Sequence, residues 1–229
     1  MFVSFSVGNT GPFKEVTGIT TVCESLKKEF LGKNTFEVGG HNYNKISYIY
    51  GANGSGKTNF LSALTKMQKM IIMSTVLGAN NNKLLEVPAI KKELASPIET
   101  FKFDVDCKSR ETFFEIQVLL EGILYSYSFA VQDGKIQREL LTKKNKRTEI
   151  LIKRTSPKYE DILLRSGLAS FKGMVTVVRD DALCLAMAAM LNNPLANKIL
   201  NEIMNYRVIN MASVGNAPDF DEDNTNEKA

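Results

Sequence analysis

Residues 51–58 carry the pattern in this chain whose chemistry is easiest to state. They read G-A-N-G-S-G-K-T and match G-x-x-x-x-G-K-[ST], a loop that binds phosphate groups. Its glycines let the backbone curl around an anion, so that successive N–H groups point inward. Lys57, the predicted catalytic residue, would neutralise phosphate charge, and the Thr58 hydroxyl would be a ligand of Mg²⁺. The residues predicted to hold the phosphates are Gly51, Ala52, Asn53, Gly54, Ser55, Gly56, Lys57, Thr58 and Asn59.

The segments on either side of this loop suit the same interpretation. Residues 46–50 read I-S-Y-I-Y and predict a strand that leads directly into the loop. After the loop, apolar residues at helical spacing predict a helix that runs to about residue 76. Such a helix would direct its positive N-terminal end at the phosphates. The alternative, a glycine-rich turn with a chance lysine, explains neither flank.

Composition narrows the class of protein. The chain has 229 residues, of which 44% are hydrophobic and 24% charged, as in ordinary soluble domains. No apolar run approaches the roughly eighteen residues of a membrane span, and the N-terminus lacks the pattern of a signal peptide. Three widely separated cysteines predict reduced thiols and a cytoplasmic location. The single histidine, His41, follows two glycines and indicates a turn rather than a metal site.

Charge is unevenly distributed along the chain, whose net charge is +4. Residues 216–229 hold five acidic residues and one lysine, and this acidic tail is predicted to be disordered. Basic residues concentrate between positions 143 and 158, and such a cluster is able to bind nucleic acid. The alternative is a solvated hairpin tip, which the sequence favours. The cluster comprises Lys143, Lys144, Lys146, Arg147, Lys153, Arg154 and Lys158.

The remaining pattern predicts strands, then a pair of helices. Strands are expected at residues 2–7, 13–22, 101–105, 112–120, 123–131, 135–141 and 148–153. The dipeptides Glu121-Gly122 and Asp133-Gly134 mark two tight hairpins within an antiparallel β-meander. Helices are expected at residues 180–190 and 194–204, the second opening at Pro194.

Residues 48–64, which contain the loop, resemble the ATP-binding proteins of the abortive-infection (phage-defence) AAA class. That class has ABC-type ATPase heads related to those of RecF, SMC and OLD proteins. Softer similarities extend the resemblance to about residue 211. They are Asn9 with Phe13 after the first strand, residues 125–129 and 136–140 as a central hairpin, residues 150–154 as a strand ending in arginine, and residues 191–194 as a helical joint.

The resemblance implies a fold class and a set of partners. The fold would be α/β, the N-terminal lobe of a P-loop NTPase of the ABC-head type, over residues 1–215. Within it, residues 1–77 would be the nucleotide-binding core, residues 100–155 the β-meander and residues 180–206 a helical segment. The implied ligands are ATP and Mg²⁺, and the implied partners are a second copy, or a protein that carries the rest of the head, and a toxic effector.

Two elements that such a head needs for hydrolysis are not found in the sequence. No signature segment is present, and the nearest imitation of a Walker B strand is residues 175–181, with Asp180 and Asp181 as weak candidate acids. Arg179 interrupts its apolar run. The chain therefore resembles one lobe of a truncated or split head, and whether it is an enzyme stays open. The alternatives are a non-catalytic nucleotide-sensing module that docks an effector or nucleic acid, and a RecF-like repair ATPase.

Overall fold

The structure, a computed structural model, describes residues 1–23, 32–76 and 98–209. Within them the strands are β1 (Phe2–Gly8), β2 (Thr17–Thr20), β3 (Thr35–Val38), β4 (His41–Asn44), β5 (Thr112–Leu120), β6 (Ile123–Gln132), β7 (Lys135–Lys144), β8 (Thr148–Arg154) and β9 (Ile162–Leu164). The α-helices are α1 (Lys57–Val76), α2 (Cys184–Met190) and α3 (Pro194–Met204). Short 3₁₀ segments lie at Val105–Ser109, Tyr159–Asp161 and Ala169–Val177.

One antiparallel sheet dominates the described residues, with strand order β2-β1-β5-β6-β7-β8-β9. The predicted meander is confirmed, because β5 to β8 follow one another as neighbours. Its two tight turns have the positive φ angles that short hairpins need: 51° and 76° at Glu121-Gly122, and 51° and 75° at Asp133-Gly134. Strands β3 and β4 form a separate hairpin that the sequence pattern did not predict.

The helices pack on one face of this sheet. Helix α1 buries Phe60, Ala63, Met67 and Ile71, whose spacing places them on one side of the helix. They share a core with alternate residues of the strands and with the buried side chains of α2 and α3. No helix in the described part of the chain is long and apolar enough to cross a membrane.

The strand predicted at residues 46–50 does not form. These residues adopt no regular structure, and Ile46, Tyr48 and Tyr50 are 66%, 78% and 89% exposed. A strand requires a neighbour to accept and donate its backbone hydrogen bonds. Among the described residues no strand pairs with this segment, so its β-forming side chains alone do not order it.

Three other elements differ from the prediction in extent or type. Residues 101–105 are not a strand, because the Asp104 side chain accepts from the Asp106 N–H at 3.0 Å and starts a 3₁₀ turn. Of residues 13–22, only Thr17–Thr20 pairs as a strand. Helix α2 begins at Cys184 rather than at residue 180. The predicted acidic tail and the boundaries near residues 77 and 215 lie outside the described residues.

A buried charged pair connects the sheet to the helical layer. Glu139 of β7 and Arg154 of β8 are directly opposite in the ladder, and each is 1% exposed. The Glu139 carboxylate accepts from the Cys184 N–H at 2.7 Å, the Leu185 N–H at 2.9 Å and the Tyr127 hydroxyl at 2.9 Å. Two orphan amides at the start of α2 are thereby satisfied, which explains why the helix begins there.

Arg154 adds hydrogen bonds to backbone carbonyls near the same helix start. Its guanidinium donates to the carbonyl of Ser156 at 2.9 Å, of Ala182 at 2.8 Å and of Arg179 at 3.1 Å, and also to that of Pro157. Burial lowers the pKa of Arg154, and the neighbouring Glu139 carboxylate opposes that shift. The two side chains together fix the loop that leads into α2.

Replacement of Arg154 by lysine should destabilise the fold. Lysine keeps the charge but not the planar fork of donors, so several buried carbonyls would lose their partner. We expect a loss of about 2–4 kcal/mol in the free energy of unfolding, measured by urea denaturation. Lys153→Ala, at the exposed neighbouring position, is the control and should change stability by no more than about 0.5 kcal/mol. Equal urea midpoints for both variants would contradict this role.

Candidate functional site

The predicted phosphate loop has the backbone shape that anion binding requires. Helix α1 begins at Lys57, directly after the loop, as predicted. Gly54 and Gly56 have φ angles of +81° and +93°, values that residues with a β-carbon rarely adopt. The Ser55 N–H donates to the Ala52 carbonyl at 3.2 Å, and the Phe60 N–H donates to the Gly56 carbonyl at 2.9 Å. These two hydrogen bonds close the loop and join it to the helix.

The Lys57 side chain folds over the loop. Its Nζ donates to the carbonyls of Gly51 at 2.7 Å and Ala52 at 2.8 Å, and lies 3.5 Å from the Ser55 Oγ. The ammonium group therefore stands above the loop backbone, where phosphate oxygens would be its charge-assisted partners. Most of the loop is open to solvent, so a ligand reaches this position without rearrangement of the core.

The start of α1 adds a second source of positive potential. The first N–H groups of any α-helix have no partner within the helix, and the helix dipole points the same way. Within the described residues, the N–H groups of Gly56, Lys57 and Thr58 donate to no backbone carbonyl. Unpaired amides, the start of α1 and the Lys57 ammonium thus lie within a few residues of one another, as the sequence-predicted phosphate site requires.

Thr58 and Asn59 lie exposed on the first turn of α1. The Thr58 hydroxyl is one residue from Lys57 and is accessible to a cation held between it and phosphate oxygens. Mg²⁺ is usually bound in this manner, with few protein ligands and several waters. No cluster of three or more His, Cys, Asp or Glu side chains that could hold a metal ion occurs in the described part of the chain.

The segment considered for Walker B is not a strand. Residues Ala169–Val177 form a 3₁₀ helix, because successive i to i+3 hydrogen bonds wind this part of the chain. Asp180 accepts from Lys135 Nζ at 2.9 Å, which holds the pKa of Asp180 below its usual value, and Asp181 pairs with Arg179 at 2.8 Å. Both candidate acids therefore already have cationic partners, and the described residues directly before them are not the strand that a Walker B element requires.

The basic cluster at residues 143–158 is divided by the fold. Arg154 is buried in the pair with Glu139 and is not available to a ligand. Lys143 pairs with Glu149 at 2.9 Å on the neighbouring strand. Lys144, Lys146 and Arg147 remain exposed at the tip of the β7–β8 hairpin. Nucleic-acid binding through this region stays a prediction that rests on the hairpin tip.

A contact that the sequence did not predict lies behind the loop. A β-carbon built on Gly56 would be 2.9 Å from the Cγ of Pro12 and 3.4 Å from the Cζ of Phe13. The Phe13 ring also packs edge-on against Phe60, with centroids 6.0 Å apart. The turn that follows β1 therefore packs against the phosphate loop at Gly56, the residue before Lys57. The only signal in the sequence was the Asn9 and Phe13 spacing of the resemblance.

Comparison with protein families agrees with this geometry. A family model described as "AAA domain, putative AbiEii toxin, Type IV TA system" matches residues 46–172, more than half of the chain. The match includes the phosphate loop, α1 and the whole of the β-meander. Searches of curated proteins and of solved structures returned no match. The family match confirms the resemblance to abortive-infection AAA proteins.

Substitution of two loop glycines should separate backbone strain from steric conflict. Gly54 and Gly56 both have positive φ, but a β-carbon on Gly54 would meet nothing within 4 Å. Gly54→Ala should therefore cost about 1–2 kcal/mol, the penalty of a left-handed conformation. Gly56→Ala should cost about 1–3 kcal/mol more, because its methyl group would overlap Pro12.

The measurement is the free energy of unfolding of both variants in denaturant. Equal losses would show that the turn at Pro12 does not restrict the loop.

Proposed function

The chain belongs to this family of AAA domains, and we propose that it binds ATP with Mg²⁺ as the nucleotide-binding module of a phage-defence system. The observation that carries the proposal is the placement of the Lys57 ammonium over a loop with positive φ at Gly54 and Gly56. A nucleoside triphosphate offers the phosphate oxygens that such an arrangement binds. The preference for ATP and the defence role derive from the family.

Each loop residue has a separate part in the proposed binding. The amides of residues 52–56 would hold phosphate oxygens, Lys57 would neutralise phosphate charge, and the Thr58 hydroxyl would help to hold Mg²⁺. Asn59 lies exposed on the same helical turn and is close enough in sequence to contact the phosphates. Charge neutralisation by Lys57 and Mg²⁺ together would make the γ-phosphate susceptible to attack by water.

Hydrolysis needs further groups that come from a partner. A γ-phosphate is cleaved when a carboxylate or equivalent group orients the attacking water. Asp180 and Asp181, the acids considered for this role, are paired with Lys135 and Arg179. We propose that a second copy, or a protein that carries the rest of the head, supplies these groups, and that nucleotide state controls an effector.

The exposed segment at residues 46–50 supports a partner at this position. As a strand it would carry Ile46, Tyr48 and Tyr50 on one face, a set of side chains with high strand propensity. Ile46, Tyr48 and Tyr50 expose most of their surface instead, immediately before the phosphate loop. A partner that pairs with this segment would bury these side chains and fix the entry to the loop in one step.

Lys57→Ala should abolish most nucleotide affinity. A charge-assisted hydrogen bond is worth about 1.5–3 kcal/mol, so the dissociation constant for ATP should rise by roughly tenfold to a hundredfold. Titration calorimetry with Mg-ATP gives the constant. Lys66→Ala, on the same helix but nine residues further, is the control and should bind as the parent does. An unchanged constant for Lys57→Ala would refute the proposed site.

Charged substitutions at the exposed tyrosines should affect assembly without affecting the fold. Tyr48→Asp with Tyr50→Asp should change the free energy of unfolding by no more than about 0.5 kcal/mol, because both side chains are exposed. Sedimentation velocity should show that copies of the parent chain associate in Mg-ATP and that the double variant does not. The isolated chain should turn over ATP slowly. Rapid turnover by a monomer would contradict the need for a partner.

A further inference from the structure

The turn between β1 and β2 lies against the phosphate loop, and buried polar side chains attach its other side to the rest of the fold. Thr10 and Phe13 exchange backbone hydrogen bonds of 3.0 and 2.9 Å, and Asn9 and Gly11 have φ angles of 49° and 52°. Asn9 and Thr10 are 4% and 2% exposed. Buried polar side chains of this kind fix a backbone in one geometry when their hydrogen bonds are satisfied.

Asn9 is the centre of the contacts behind the turn. Its Nδ2 donates to the carbonyls of Cys107 at 2.9 Å and Arg110 at 2.8 Å, and its Oδ1 accepts from the Phe101 N–H at 3.3 Å. The Thr112 hydroxyl donates to the Asn9 carbonyl at 2.9 Å. The turn is therefore attached to the segment before β5 and not only to its own hairpin.

Thr10 and Gly11 extend this attachment. The Thr10 hydroxyl and the Gly11 N–H both donate to the Glu99 carbonyl, at 2.9 and 3.0 Å. The side of the turn that faces the phosphate loop is by contrast apolar, with Pro12 and Phe13 against Gly56 and with the Phe13 ring against Phe60. One face of the turn is thus fixed by hydrogen bonds, and the other is left to support the loop.

We propose that Phe13 is a positioning residue for nucleotide binding, which acts through Gly56 and Phe60 on the phosphate loop. The proposal rests on the proposed function, because it concerns the same loop. Gly56 precedes Lys57, and its φ of +93° determines where the following N–H groups and the Lys57 side chain point. Phe60 lies one helical turn after the loop and is itself packed against Phe5 of β1, with ring centroids 5.5 Å apart.

The ring of Phe13 therefore lies against Gly56 of the loop, before Lys57, and against Phe60 of α1, after it. Its removal would leave the loop free to move relative to α1, although the helix itself keeps its core contacts at Ala63, Met67 and Ile71. Displacement of binding groups by about 1 Å is sufficient to cost roughly a hundredfold in function. The effect on nucleotide affinity should accordingly exceed what the loss of stability explains.

The test compares Phe13→Ala and Phe13→Leu with a control of matched stability. Leu164→Ala lies on β9, at the opposite edge of the sheet from β2, and removes a buried side chain of 6% exposure far from the loop in strand order. Thermal unfolding selects conditions in which the variants are equally folded. We expect the dissociation constant for Mg-ATP to rise by roughly tenfold or more in Phe13→Ala, to recover partly in Phe13→Leu and to stay unchanged in Leu164→Ala.

Hydrogen exchange distinguishes failure of this inference from failure of the proposed function. Without any nucleotide, the Ser55 and Phe60 amides, which donate to the Ala52 and Gly56 carbonyls, should exchange faster in Phe13→Ala than in Leu164→Ala, because only the first variant releases the loop. If the parent protein binds no ATP, the proposed function fails, whatever the exchange rates are. If the parent binds ATP and Phe13→Ala binds within about twofold of it, or Leu164→Ala weakens binding equally, the positioning role is overturned.

Discussion

The hydrogen bonds of the buried Glu139 and Arg154 side chains are the interactions on which the relation between sheet and helices depends. Glu139 and Arg154 lie opposite each other on adjacent strands. Their side chains hydrogen-bond to the Cys184 N–H and to the Ala182 carbonyl, at the start of α2. A buried charge is costly unless it is paired and hydrogen-bonded, so this arrangement tolerates few alternatives. It fixes the start of α2 and, through the Leu183 N–H that donates to the Ser74 Oγ at 3.0 Å, the far end of α1.

Helix α1 is therefore held along its length by different kinds of contact. Its C-terminal part contacts the α2 entry at Ser74, and Gln68 donates to carbonyls of Ile203 and Tyr206 at 2.9 and 2.8 Å. Its first turn is held by aromatic packing of Phe60. Because the predicted phosphate loop continues directly into this helix, the contacts of α1 with the sheet and with the other helices also determine the position of Lys57.

Local signals in the sequence were sufficient for the elements that stabilise themselves locally. The two hairpins with glycine turns, the amphipathic α1 and the proline start of α3 were all predictable, because their patterns depend on neighbours within a few residues. The Glu139–Arg154 pair was not, since it joins residues whose proximity follows only from the completed sheet. Asp104 likewise overrode strand propensity at residues 101–105 by a local side-chain hydrogen bond.

The segment at residues 46–50 shows most clearly why sequence pattern and structure diverge near the site. Its composition indicates a strand, whereas the antiparallel sheet leaves it without a hydrogen-bonding neighbour among the described residues. The phosphate loop consequently has one side held by α1 and the Phe13 turn, and another side that follows a segment without a strand neighbour among the described residues. A partner strand paired with residues 46–50, as proposed, would adjoin the loop directly, so pairing and nucleotide binding would each strengthen the other.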